Sequence, residues 1–353
     1  MRRGRRERAC CCDRGVEFRV VALLLGLCLS LSPVLAGGPS HSLWGQTAPA
    51  HPQVIPTPPE VATVPHHPAA GDIPTIPTLP GDPGPGATHG DHLLLLTGNV
   101  LIGGLTGGLR QWRGDGSFRD GFVRGGLGGG LTFAGKWAAG RDIPAGGLAG
   151  RWLAATGASV TRNASEGAPT FHRLVLPMGP VRLHWGTGGE GIRASLDLFT
   201  TASLAGAYLS GIGASLDLGR SLGSGGPVVM AQDWEDDWGW HGRAFGGTVI
   251  LRGDHMEDGW SHSVGVGPEE FLARALAHER VHLIQYDQAW ILWGEPVEDR
   301  LLGALGVSEG VRDRLDFSIH SLVFFGLERV IPYEDQPWEW EAHRLSGTNW
   351  DWH

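Results

Sequence analysis

The sequence predicts an α+β chain in which a Gly-rich helical hairpin precedes a small, mostly antiparallel sheet and a closing set of helices. Three observations predict it. Residues 93–140 hold two apolar, Gly-rich segments around one polar turn, residues 171–254 break into short β-branched or alternating runs between Gly-rich turns, and residues from Pro268 onward take on helical spacing. The 57 Gly and 23 Pro among 353 residues fall in different places, so the chain reads as several segments of different kinds.

Residues 1–36 combine an Arg-rich start, an apolar run from Val20 to Leu31 and a small-residue end at Val34 and Ala36. This is the pattern of a secretory signal peptide cleaved before Gly37, with an uncleaved anchor as the alternative. The expected location is therefore outside the cytoplasm: periplasmic, cell-envelope or extracellular. All four cysteines (Cys10, Cys11, Cys12, Cys28) lie in this segment, which leaves the rest without disulfides or cysteine ligands. Without its seven Arg and three acidic residues, 21 basic side chains face 34 acidic ones. That balance argues against a nucleic-acid partner.

Residues 37–90 concentrate proline and contain no Lys or Arg, as a solvated spacer does; His66 and His67 have nothing to fix their geometry. Residues 91–165 form the hairpin region. Gly103, Gly107, Gly125 and Gly129 recur at four-residue spacing, which lets two helix backbones approach closely. Two readings stay open here: a membrane hairpin over residues 93–140, or a hairpin packed on the third Gly/Ala-rich segment, AGGLAGRWLAATGASVTRN. In the sheet region, HRLVLPMGPVRLHW, IRASLDLFTTASL, GASLDLGRSL and GGTVILRGD read as strands, and the acid- and Trp-rich QDWEDDWGWHGRAF reads as a surface loop or the rim of a cleft.

The chemistry lies in the last hundred residues. Pro268 suits the first position of a helix and Glu269 and Glu270 its positive first turn. On that helix His278, Glu279, Arg280, Val281 and His282 spell H-E-x-x-H. Residues four apart share a face, so both imidazoles can hold one metal ion while Glu279 reaches a water beside it. Two histidines do not complete a zinc site, and with no cysteine left the third ligand is a carboxylate or another His. DQPWEWEAHRLSG supplies candidates: Pro337 can open a helix that carries Glu339 and Glu341 near its first turn, with Ala342 small enough for close packing. Between the two helices, the apolar stretch from Leu315 to Val330 is too short and interrupted for a membrane span and reads as a core helix.

With these residues in hand, the segment 246–346 resembles the gluzincin clan of metallopeptidases. That clan carries H-E-x-x-H on one helix and, on a later one, a ligand Glu followed three residues on by a small residue and then usually Asp. The resemblance implies a zincin-like domain over residues 166–353 with Zn2+ held by His278, His282 and Glu339 (fallback Glu341), and Glu279 as general base. The chain departs from the clan at His343, where Asp usually makes a hydrogen bond that steadies a ligand histidine. Tyr333, His343 and His320 are the candidates for steadying an oxyanion. The resemblance also implies an edge strand beside the metal helix, assigned to Gly246–Gly253, that pairs with an extended substrate. The expected function is an exported zinc metallopeptidase acting on a peptide or protein. The competing expectation is an inactive zincin-like binding or assembly module of the cell envelope.

Overall fold

A computed structural model describes residues 88–141, 143, 145–187, 191–232, 242–253, 267–289 and 295–348. The segment 1–36 read as a signal peptide, nearly all of the Pro-rich spacer and most of the acid- and Trp-rich loop (233–241) lie outside the described residues. Helix α1 (His89–Arg113) begins inside the end assigned to the spacer. There Thr88 and Asp91 form a capping box, each side chain accepting the other's backbone N–H. A turn capped by Ser117 leads into α2 (Phe118–Ala139), and α3 (Gly146–Ser165) follows.

The glycine spacing has the meaning the sequence gives it. A methyl group on Gly103 would stand 2.9 Å from the Gly129 nitrogen, and one on Gly125 would strike the Gly103 carbonyl. The third segment joins by the same device, for a methyl on Gly157 would lie 2.5 Å from the Gly128 oxygen. Of the two readings of the hairpin, packing on this third helix is present in the structure. Asn163 of the Asn163-Ala164-Ser165 tripeptide is fully buried, its amide donating to the Thr170 and Arg173 carbonyls.

One sheet was expected; the described residues form two, each of four strands. In the first, β1 (Arg173–Met178), β2 (Val181–Gly186) and β3 (Gly191–Asp197) form an antiparallel meander, and β8 (Leu315–Asp316) adds a short parallel strand beside β3. The second has the order β4-β5-β7-β6, built from β4 (Ser215–Leu216), β5 (Val228–Ala231), β6 (Gly242–Phe245) and β7 (Thr248–Arg252), with β5 and β7 parallel. Two expected strands are mostly helix. IRASLDLFTTASL leaves β3 at Asp197, whose carboxylate accepts the Thr200 N–H and starts α4 (Leu198–Leu209). GASLDLGRSL keeps only β4 before Asp217 caps α5 (Leu218–Ser224) through the Arg220 N–H.

The edge-strand assignment is also corrected. β7, which is the GGTVILRG segment, lies inside its sheet between β5 and β6, and the edge beside the later helices is β6. Thr248, Val249, Ile250 and Leu251 are all buried, as a strand with neighbours on both sides and layers on both faces requires.

After the sheets come α6 (Pro268–Gln288), α7 (Glu295–Ala304), α8 (Glu309–Arg312), α9 (Ile319–Val330) and α10 (Pro337–Ser346). The apolar stretch up to Val330 is the expected core helix: Phe324 and Phe325 of α9 join Phe199, Phe245, Leu251, Leu283 and Tyr286 in the main core. Buried ion pairs bind the layers together. Arg151 of α3 holds Asp287 at the end of α6 (2.7 Å), and Arg182 of β2 holds Asp197 (2.7 Å) and Asp316 (3.1 Å).

Candidate metal centre

Helix α6 starts with Pro268 at its first position and Glu269 and Glu270 in its first turn, as its sequence implies. His278, Glu279 and His282 lie on its buried face, against α10 on one side and β6 on the other. Helix α10 opens on Pro337 and carries Glu339 into the same space, while Ala342, completely buried, packs with Val281 of α6. A larger residue at 342 would separate the two helices.

Three potential ligand atoms converge. His278 Nε2 and His282 Nε2 are 2.9 Å apart, and each is 3.2 Å from Glu339 Oε2. Atoms bound at about 2.0–2.1 Å to one tetrahedral zinc stand about 3.3 Å from each other, so the observed triangle has the size of a metal's coordination shell.

The surrounding hydrogen bonds sharpen the point. The Gln285 amide nitrogen donates to the Trp338 carbonyl (3.0 Å) and to Glu341 Oε2 (2.9 Å), which leaves its oxygen facing His282 Nδ1 at 2.7 Å. An amide oxygen only accepts, so Nδ1 carries a proton and the ring presents its Nε2 to the Glu339 carboxylate. A proton or a metal cation between Nε2 and the carboxylate satisfies that arrangement. His278 Nδ1 lies 3.3 Å from Thr348 Oγ1. The His/His/Glu set therefore fits a divalent metal in donor type, spacing and orientation.

Electrostatics divide the site into roles. Burial opposes charge on His282, but the adjacent Glu339 carboxylate outweighs it and pushes the imidazole up to about 10. Burial likewise works against ionised Glu339, yet His282 and His278 hold it well below the usual carboxylate range. Glu279 is pushed up to about 7, chiefly by burial, although the Ala244 N–H of β6 and nearby Arg243 favour its charged form. Its carboxyl group lies along the edge strand, where a methyl on Gly242 would stand 3.2 Å from Glu279 Oε1. Glu279 thus faces a strand edge that has no further partner among the described residues.

Other predicted residues take distinct places. Tyr333, in a short 3-10 turn before α10, donates to His343 Nε2 (3.0 Å), because His343 Nδ1 donates to the Thr348 carbonyl (2.8 Å). Burial raises the Tyr333 phenol, and Glu339 raises it further. The His343 ring lies 4.5 Å from that of His278, and burial lowers it to about 4. It touches a ligand histidine where the clan pattern has Asp, but the steadying bonds to the ligands come from Gln285 and Thr348. His320 is elsewhere, its Nδ1 paired with Glu298 (3.1 Å). Glu341 is not in the triad: Lys136 of α2 pairs with it at 2.8 Å and the Asn99 amide of α1 donates to it at 3.0 Å.

Sequence reasoning left this outer layer unassigned. Lys136, the only lysine in the chain, had a readable signal: an ammonium on the inner face of an apolar Gly-rich helix needs a buried carboxylate partner. Comparison of the chain with protein-family models, with curated proteins and with solved structures gives no match.

Proposed function

We propose that this chain is a zinc-dependent metallopeptidase of gluzincin type, hydrolysing peptide bonds in a protein or peptide outside the cytoplasm. The observation that carries the reading is the buried triangle of His278, His282 and Glu339, with His282 Nε2 turned into it by Gln285, next to a carboxyl group whose pKa stands near neutral. His278, His282 and Glu339 would hold the metal. Bound there, zinc supplies Lewis acidity toward a carbonyl oxygen and a water molecule.

The chain's own residues supply the rest. Glu279, with its carboxyl near half-ionised at neutral pH, accepts a proton from the attacking water and passes it to the leaving amine nitrogen. Strand β6 offers its outer edge to an extended substrate, whose backbone would pair as an added strand within reach of Glu279. The Tyr333 hydroxyl, whose proton rests on His343 Nε2, would steady a developing oxyanion by turning that proton from His343 toward it. Gln285 and Thr348 keep the two ligand imidazoles oriented.

The deciding experiment is metal analysis and peptide cleavage on wild type, Glu279→Gln, His282→Ala and Glu339→Ala. About one zinc per chain is expected in wild type and Glu279→Gln and none in the two ligand variants, with cleavage confined to wild type. A wild-type protein that takes up no metal overturns the site. Wild-type and Glu279→Gln proteins that both hold zinc and cleave equally overturn the catalytic role.

A further inference from the structure

Helix α1 is the one helix among the described residues that is long and apolar enough to cross a membrane, and only 28% of its most apolar stretch is buried. Leu94, Leu101, Ile102, Leu105, Leu109 and Trp112 recur at helical spacing, and all six are 46–63% exposed. On α2, Val123 (62%), Leu127 (52%) and Trp137 (42%) continue the exposed apolar surface. The two helices are bridged rather than separated. The Phe118 and Phe122 rings of α2 lie over Gly108 and Gly104 of α1, and a groove of about 530 Å³ between the helices is lined by Val100, Phe122, Gly126 and Leu127.

From these features we infer that the outer face of the α1–α2 hairpin lies against the hydrocarbon of a lipid bilayer. Length favours lipid over a protein partner. Trp112 is in the last turn of α1 and Trp137 lies 19 residues down α2 from its start, so the two exposed indoles bracket about 28 Å of helix axis. Hydrocarbon cores are about 30 Å thick, and Trp gathers at their two boundaries. Arg113, Asp115, Arg119 and Asp120 stand at the tip and Arg141 over the Trp137 ring at 5.2 Å, while Arg110 and Arg124 lie within the span, both half-buried and Arg124 turned to the Ala168 carbonyl.

A second observation points the same way. In the first sheet, the rows Leu174–Trp185–Ile192, Leu176–Leu183–Ala194 and Met178–Val181–Leu196 all fall on one face, where Trp185 (52%), Ile192 (76%) and Met178 (46%) are exposed while Leu196 packs on the cluster of Leu198, Leu302, Val307 and Phe317. The opposite face carries Arg182 and Ser195, both buried. This inverts the arrangement of a sheet that faces water. Exposed apolar faces on two separate elements suit a protein whose solvent is partly lipid.

The test is site-directed spin labelling of the full chain with its four cysteines replaced by serine, reconstituted in vesicles of phosphatidylcholine and phosphatidylglycerol. Nitroxides enter at Leu105→Cys, Leu127→Cys and, at the tip, Arg119→Cys, with circular dichroism confirming that each chain keeps its helices. Collision rates with oxygen, which dissolves in lipid, are expected to exceed those with a water-soluble nickel chelate severalfold at 105 and 127, and the order is expected to reverse at 119. Chelate access at 105 and 127 equal to that at 119 means water covers the face and overturns the inference. Exclusion of both reagents means that protein, such as a second copy of the chain, covers it, and overturns it equally. Zinc loading does not enter the measurement, so its outcome is separate from that of the proposed activity.

Discussion

Replacing Lys136 by Met removes the ammonium that faces Glu341. The pair is 2.8 Å apart, with side chains only 8% and 13% exposed. At an effective dielectric of about 20 its gross attraction is about 6 kcal/mol, most of it offset by the desolvation of two buried charges. Breaking such a pair from one side costs about 3–5 kcal/mol because the remaining charge stays buried. Glu341 keeps two donors, from Asn99 (3.0 Å) and Gln285 (2.9 Å), so the lower end, about 3 kcal/mol, is expected. Burial alone would raise Glu341 and Lys136 is the main group lowering it, so its carboxyl should titrate higher in the variant. Because Glu341 holds the Gln285 amide that orients His282, zinc affinity should also fall, by about 10-fold. Urea unfolding gives the first quantity and chelator competition the second. Adding Glu341→Leu should restore much of the stability, since both charges are then gone. A loss below about 1 kcal/mol for Lys136→Met would show the pair to be screened like a surface ion pair and would refute the reasoning.

Three other outcomes are expected. With Glu279 as the proposed base, pushed up to about 7 by burial, kcat/KM should rise with pH through about 7 and level off above it; Glu279→Gln should lower it by about 100-fold or more at every pH, and a profile flat from pH 5 to 9 would remove the base assignment. Gly129→Ala would place a methyl 2.7 Å from the Asn99 carbonyl carbon, so a loss of roughly 1–3 kcal/mol in urea unfolding is expected, and unchanged stability would show that the helices can separate freely. Arg182→Leu leaves Asp197 and Asp316 buried without their guanidinium, at 2.7 and 3.1 Å in the native chain, and should cost about 3–5 kcal/mol; a thermal midpoint equal to wild type would contradict the buried ion-pair network.

What could be read from the sequence follows from the range of the interactions involved. The two ligand helices were legible because their signals are local: Pro268 and Pro337 at first helical positions, His278 and His282 one turn apart, and Ala342 three residues after Glu339. In the sheet region the decisive residues were also local but were outvoted. Asp197 and Asp217 are N-caps, and each converts an apolar run that looks like a strand into a helix. The position of β7 inside its sheet was visible in its unbroken apolar run, which an edge strand would interrupt with polar residues. The outer layer was hidden for a different reason. Asn99 and Lys136 lie 242 and 205 residues from Glu341, and no spacing rule reaches across such distances.

The same layer explains why a Gly-rich hairpin belongs with a metal centre at all. Asn99 and Lys136 come from different helices, yet both reach one carboxylate, and the Lys136 ammonium lies 3.2 Å from Asn99 Oδ1. That convergence requires the α1 and α2 backbones to be in contact one turn and two turns away, where Gly103 and Gly129 meet. A side chain on either glycine would push the helices apart, draw one of the two donors off Glu341 and loosen the Gln285 amide behind His282. The glycines are therefore linked to the orientation of the ligand histidine through four side chains, each held by a hydrogen bond or ion pair of 3.2 Å or less. If the outer face of the hairpin is set in lipid, the helices that meet the bilayer are the ones whose Asn99 and Lys136 hold Glu341 behind the site. Forces on that face then reach the site through Lys136 and Asn99, and zinc affinity should differ between detergent and bilayer in the wild type more than in Lys136→Met.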